Sequence, residues 1–303
     1  MPDNTQPDLI VDGNRLVTLC ADVTVYWRGS MFDRADAILA FYERAMKIIG
    51  SKLGWYETET MGDVEAINGK VFGMLPLWLK NPKSRRGIQA LVLQGGEQAT
   101  DASDHAFTLF YDQEQPPAMG VLRLVLPAPL LEKSPAGFAA LVAELVAPLD
   151  FESGHAGFSV NWDSRGEDAL DAETHLRRIA TRFLGIDIPE INTTLVNMQD
   201  YEEPAFKCVN WITLLGTELA ERIGPAEMVQ DALPEGCRVV DLQGRYLIQA
   251  GAAPSIGDKR KKEQLPAYRA VGELLAPFRL QEHAPLFLDD EDATETWLSR
   301  FDG

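Results

Sequence analysis

Cations are scarce in this chain: 28 Lys and Arg stand against 46 Asp and Glu over 303 residues, for a formal net charge of −18. Phosphate binding needs clustered basic side chains to displace counterions, so direct binding to nucleic acid is disfavoured. An anionic membrane surface would repel the chain for the same reason. Long apolar runs are missing, and nothing approaches the roughly 18–20 residues of a spanning helix. Residues 1–18 lack the basic-then-apolar order of a signal segment. Cysteine is rare, with Cys20, Cys208 and Cys237 far apart and without CxxC spacing. Neither a disulfide framework nor a thiolate zinc site is expected, and buried reduced thiols in a cytoplasmic protein are the simplest reading. Histidine is rarer than its four copies suggest, since His105, His155, His175 and His283 never form an HExxH pair.

Apolar content is ample. Hydrophobic residues make up 46% and aromatics 9%, which excludes a disordered chain. A chain of this length folds as one large domain or two compact halves. Asp22–Trp27 alternates, with Val23, Val25 and Trp27 on one face and Asp22, Thr24 and Tyr26 on the other. Residues 1–18 read as a polar arm or edge. A helix is expected over 33–49 with Gly50 as its stop, and Asn68-Gly69 marks a hairpin between 64–67 and 71–74. Strands at 88–93, 106–111 and 121–126, joined by turn-rich links, predict an antiparallel meander.

Ser134-Pro135 opens the next helix as N-cap and first-turn proline, and 155–162 alternates again. Further helices are expected at 168–184, 210–223, up to 233, and 266–278, with a hairpin around Gln243-Gly244. Antiparallel strands flanked by helices without βαβ alternation define an α+β fold. A boundary near 187–204 divides it into halves at 1–187 and 188–303, which also fit one continuous domain.

Motifs for chemistry are absent or incomplete. Gly95-Gly96 completes neither a P-loop nor a GxGxxG fingerprint. His155, Ser159 and Asn161 share a strand face ahead of Asp163, but Ser159 is not in a GxSxG elbow and half of any one-sided strand is polar. The acidic run 289–292 lacks the alternation and central glycine of a calcium loop. No catalytic, metal or cofactor site is expected.

Charge is unevenly spread. From Glu152 to Glu203 there are 11 acids against 4 Arg, from Glu282 to the end 7 against 1, and between Glu97 and Glu114 five acids with no base. Bases gather at 80–86 and at Lys259-Arg260-Lys261-Lys262. Such acidity either keeps the protein soluble or complements a basic partner.

Two C-terminal stretches carry a resemblance. The first is Val209-Asn210-Trp211-Ile212-Thr213-Leu214-Leu215-Gly216, continuing to Arg222-Ile223-Gly224. The second is Tyr246-Leu247-Ile248-Gln249-Ala250-Gly251 with Pro254, Gly257-Asp258, Leu265-Pro266-Ala267-Tyr268 and Pro277-Phe278-Arg279. Together with Phe41-Tyr42, Trp55 and Leu75-Pro76-Leu77-Trp78-Leu79, they make the chain resemble the type VI secretion immunity family typified by TsiV and TsiT, with TsiT nearest in size and character. The resemblance implies a non-enzymatic protein that neutralises a cognate nuclease toxin, similar to restriction-endonuclease-type domains, by stoichiometric binding in the cytoplasm. It supplies no catalytic set. Structural roles are expected for its motif residues: Trp211, Leu214 and Leu215 as helix core and Gly224 as a C-cap. The contact is expected on the acidic segment Asp163, Glu167, Asp168, Asp171 and Glu173. An effector-loading adaptor, or a hydrolase built on paired carboxylates, are the alternatives, and oligomeric state is left open.

Overall fold

The computed structural model describes residues 7–81, 87–114, 116–162, 169–287 and 290–302. Among them an open eleven-stranded antiparallel sheet is flanked by ten α-helices, so the α+β class is met. Its spine is β2 (Asn14–Arg28). The residues before it are no loose arm: β1 (Leu9–Val11) folds back on β2 through Asp12 and Gly13, both at positive φ. That turn is open to Gly without strain and to Asp at modest cost.

On one flank of β2 come β7 (Met119–Pro127), β6 (Ala106–Asp112), β5 (Gln89–Gln94), β3 (Trp55–Thr58) and β4 (Glu65–Ala66). On the other come β8 (Ser153–Trp162), β9 (Ile212–Leu215), β11 (Tyr246–Gln249) and β10 (Arg238–Asp241). The meander β5–β6–β7 stands where alternation put it. Gln243 and Gly244, both at positive φ, turn β10 into β11 as expected. The boundary expected after residue 187 falls between β8 and β9, which pair within this sheet.

Both faces of the sheet are covered. One is apolar: Val23, Val25 and Trp27 join Leu122, Leu124, Phe107 and Leu91 beneath α1 (Ala35–Ile49), α3 (Ala128–Lys133) and α4 (Pro135–Val146). Phe41 and Tyr42 of α1 meet Phe107, with the Tyr42 ring edge-on at 5.1 Å. Gly120 is required there, because a Cβ would lie 2.0 Å from the Trp27 ring. Ser134 precedes α4 as expected, but its side chain makes no cap bond, and Gly50 stays right-handed as the chain runs on into a 3₁₀ turn.

Three expectations fail for local reasons. Asn68-Gly69 forms no hairpin. The Asn68 side chain accepts from Lys70 N, and the chain coils through a 3₁₀ turn into α2 (Met74–Lys80), so only 65–66 is strand. The connector 188–204 contains α6 (Ile191–Asp200). The helix expected at 210–223 is instead β9 followed by α7 (Thr217–Ile223). Leu214 and Leu215 are therefore strand core, and Trp211, ahead of the strand, packs on Phe138 with ring centroids 6.3 Å apart. A short run that is buried throughout and mostly apolar has no clear period to tell helix from strand. Gly224 does close α7, at φ 108°, with its N–H donating to Ala220 O.

The remaining helices are α5 (Ala169–Arg182), α8 (Ala226–Ala232), α9 (Pro266–Leu275) and α10 (Glu291–Leu298). Among the described residues no helix is long and apolar enough to cross a membrane.

Candidate functional site

The second face of the sheet carries a polar row. Glu57, Val92, Thr108, Arg123, Thr24, His155 and Thr213 are successive cross-strand partners from β3 to β9. Strand alternation places them on one side, as it does Asp22 and Tyr26, the face opposite Val23 and Trp27. Two different environments form along this row.

Over its centre the row is closed and charge-balanced. Arg123 Nε donates to Asp22 Oδ2 at 3.0 Å, and its two amino groups donate to Asn161 Oδ1 at 3.0 Å and Val160 O at 2.8 Å. Asp187 enters from the segment after α5, bridged to β8 by its N–H to Phe158 O at 2.9 Å. Lys207 Nζ lies 3.1 Å from both Asp187 carboxylate oxygens and donates to Ile188 O at 2.5 Å. His155 Nε2 is 3.2 Å from Asp187 and 4.0 Å from Asp22. Burial pushes the Asp187 carboxyl upward, but the Lys207 ammonium and His155 outweigh it and hold the group well below the usual carboxylate range.

Asp22, His155 and Asp187 have metal-ligand spacing, with ligand atoms within 4.8 Å of one another. The surroundings do not suit a divalent ion. Arg123 and Lys207 already neutralise the two carboxylates, so a dication would leave two uncompensated charges in a closed interior. Nor does a nucleophile form. Ser159 Oγ lies between Arg123 and the Val160 and Asp187 carbonyls, and no hydrogen bond joins it to His155. The cluster clamps the 187–207 segment onto the sheet.

Towards β3 the row opens into a cleft of about 440 Å³. Glu57, Glu59 and Glu190 supply its carboxylates, and Phe110, Trp162 and Ile191 much of its apolar wall. Glu59 Oε2 accepts from Ala90 N at 2.9 Å. Glu190, at the entry to α6, is half-buried. Burial raises its carboxyl to about 7 against the opposing pull of Lys207, Arg123 and the Trp162 side chain, with Glu173 adding to the rise.

Of the acidic residues expected at a contact, Asp171 is exposed and Glu173 half-buried at the start of α5. Glu173 is close enough for its charge to act on Glu190. Asp163, Glu167 and Asp168 lie outside the described residues. The basic run 259–262 is an exposed 3₁₀ turn capped by Asp258, whose carboxyl is lowered to about 2 by Arg182. In the acidic C-terminal run, Asp290 caps α10 by accepting from Ala293 N and pairs with Arg177. Sequence reasoning had passed over Glu57, Glu59 and Glu190, and it read His155 and Ser159 as an ordinary polar face when both are buried. One signal was available: Asp22 and Thr24 share that face in a strand otherwise rich in apolar residues.

The comparisons define the class of this protein as type VI secretion immunity. Residues 37–301 match the family model TsiV, type VI immunity for VRR-NUC. The chain belongs to this family, whose partner is a nuclease toxin. Among solved structures it is similar to the Pseudomonas aeruginosa T6SS protein PA0821, with a TM-score of 0.83 and 18% identity over 99% of this chain and 88% of the other. At that identity the likeness establishes the fold alone. No curated protein matches.

Proposed function

We infer that this chain is a non-enzymatic immunity protein that binds its cognate VRR-NUC nuclease one-to-one in the cytoplasm and keeps it from DNA. The observation that carries this reading is the family match over residues 37–301. The charge of −18 supports it, since a nuclease meets a polyanion with basic side chains. An acidic partner of complementary potential speeds encounter and rejects wrong partners. The acidic segment 163–173 is part of the contact on this reading. Three free, buried cysteines suit a reducing compartment.

The test is DNA cleavage by the purified cognate nuclease with and without an equimolar amount of this chain. Loss of cleavage together with a stable complex on size exclusion is expected. Unimpaired cleavage without a complex refutes the reading, and a complex that still cuts DNA identifies an adaptor.

A further inference from the structure

The sheet is open, so its strand order begins at β10 and ends at β4. A terminal strand offers its outer N–H and C=O groups to any strand that comes alongside. At one end this hazard is small, because β4 is only two residues long. β10 is longer, and its inner side pairs with β11. Its middle residues, Val239 and Val240, are half-buried and β-branched, the type that favours strand pairing. The outer side of β10 is met by a side chain. Gln230 Oε1 accepts from Val239 N–H at 2.8 Å, and Gln230 Nε2 donates to Cys237 O at 3.2 Å. A carboxamide carries the same donor and acceptor as a peptide group, so Gln230 stands in for a neighbouring strand. The fold holds it there. Pro234 to Cys237 form a tight turn, with Cys237 N–H donating to Pro234 O at 3.1 Å and Gly236 at φ 94°. That turn lays α8 along β10, and Val229, the residue before Gln230, is buried and anchors the helix.

We propose that Gln230 is a latch that keeps a second copy of this chain from adding to β10 and joining two sheets edge to edge. A second copy is the partner in question because it brings the same strand, and two antiparallel copies of one strand pair about a two-fold axis. Residues opposite each other in such a pair exchange N–H and C=O bonds. Val239, whose N–H points away from β11, is the residue through which β10 would make that exchange. With Gln230 in place, that donor is taken. The charge of −18 repels a second copy at long range. Physiological salt screens such repulsion beyond about 8 Å, so control at contact has to be local. The latch goes beyond the immunity reading and does not depend on it.

The test compares the full chain with its Gln230→Ala variant by sedimentation equilibrium over a range of concentrations. Alanine favours a helix, so the variant keeps α8 while losing both bonds to β10. Relative to wild type it is expected to self-associate at least about tenfold more tightly, with an average mass that climbs with concentration above the 33.6 kDa of one chain. In dilute solution its Val239 amide is expected to exchange with deuterium at least about tenfold faster. Adding Val239→Pro removes the outer N–H, which an edge strand tolerates, and is expected to return the mass to that of wild type. The proposal is overturned if Gln230→Ala keeps the association state of wild type, if its Val239 amide exchanges no faster, or if the double variant still associates.

Discussion

Two regions of one sheet face treat charge in opposite ways. Around His155 each carboxylate has its own base, Arg123 for Asp22 and Lys207 for Asp187, and every member is buried. Towards β3 the cleft gathers Glu57, Glu59 and Glu190, and Arg123, the base among its described lining residues, is bonded to Asp22. Neutral pairing lets the first region serve as a clamp, because a buried ion pair is tolerable only when balanced and hydrogen-bonded. The second gathers its carboxylates at an open cleft. Charge is therefore handled differently along one sheet face, paired and buried at its centre and gathered around an open cleft towards β3.

The largest expected effect breaks the closed side. Lys207→Met should cost about 3–5 kcal/mol in urea unfolding, since it strands the Asp187 carboxylate in the interior. Pairing it with Asp187→Leu should recover most of that loss; a double variant as unstable as the single would show that the clamp is not a charge balance. Next comes Gly157→Ala, the position facing Asp22 across β2. Gly157 has φ 155°, and a Cβ there would lie 2.4 Å from Asn210 Oδ1. A loss of about 1–3 kcal/mol is expected in the same assay.

The two regions should also differ in their response to pH. Asp187 has a depressed carboxyl pKa, so its contribution is present above the usual carboxylate range and is lost as pH falls towards its folded value. Glu190, raised to about 7, works in the other direction. Its folded form holds the proton more tightly than the unfolded chain does, so its contribution to stability declines as pH rises from about 4.5 to 7. Glu190→Gln should thus stabilise the fold at pH 8 by on the order of 1 kcal/mol and leave it unchanged near pH 4. Thermal melts at the two pH values check the sign. The smallest effect is Asp171→Asn on the exposed start of α5, expected within about 0.5 kcal/mol of wild type. A larger change would tie that acidic segment to the fold and not to a partner.

Much of the architecture was legible wherever one face of a strand is apolar and the other polar, as in Asp22–Trp27 and the β5–β7 meander. Legibility failed where that contrast disappears. Ile212–Leu215 is buried throughout, Thr213 included, and a short run without polar alternation looks alike as helix or strand. Asn68-Gly69 carries the residues of a hairpin turn, but its Asx bond starts a helical coil instead. The family and its nuclease partner were readable from the C-terminal motifs, although the helix assigned to one of those motifs was mistaken. The cleft was not readable. Glu57 and Glu190 are far apart in sequence and line one cleft only because β3 lies four strands from β2 while the entry to α6 lies over the same face. Likewise, a polar strand face looks solvated until the segment carrying Asp187 and Lys207 is known to cover it.

The position of β2 has a consequence for how the chain is made. It lies at residues 14–28 and emerges well before its partners, β7 at 119–127 and β8 at 153–162. Apart from the short β1 hairpin, the spine of the sheet must wait for β7 before its first long edge can pair, and for β8 before its second can. Contacts this distant are slow to form, and an unpaired apolar strand is prone to aggregate while it waits. Ribosome-bound chains stalled before residue 119 would display Leu16–Trp27 to solvent, a natural station for a chaperone. A cell that relies on this protein for protection has to make β7 before the strand that organises the sheet finds its first long partner.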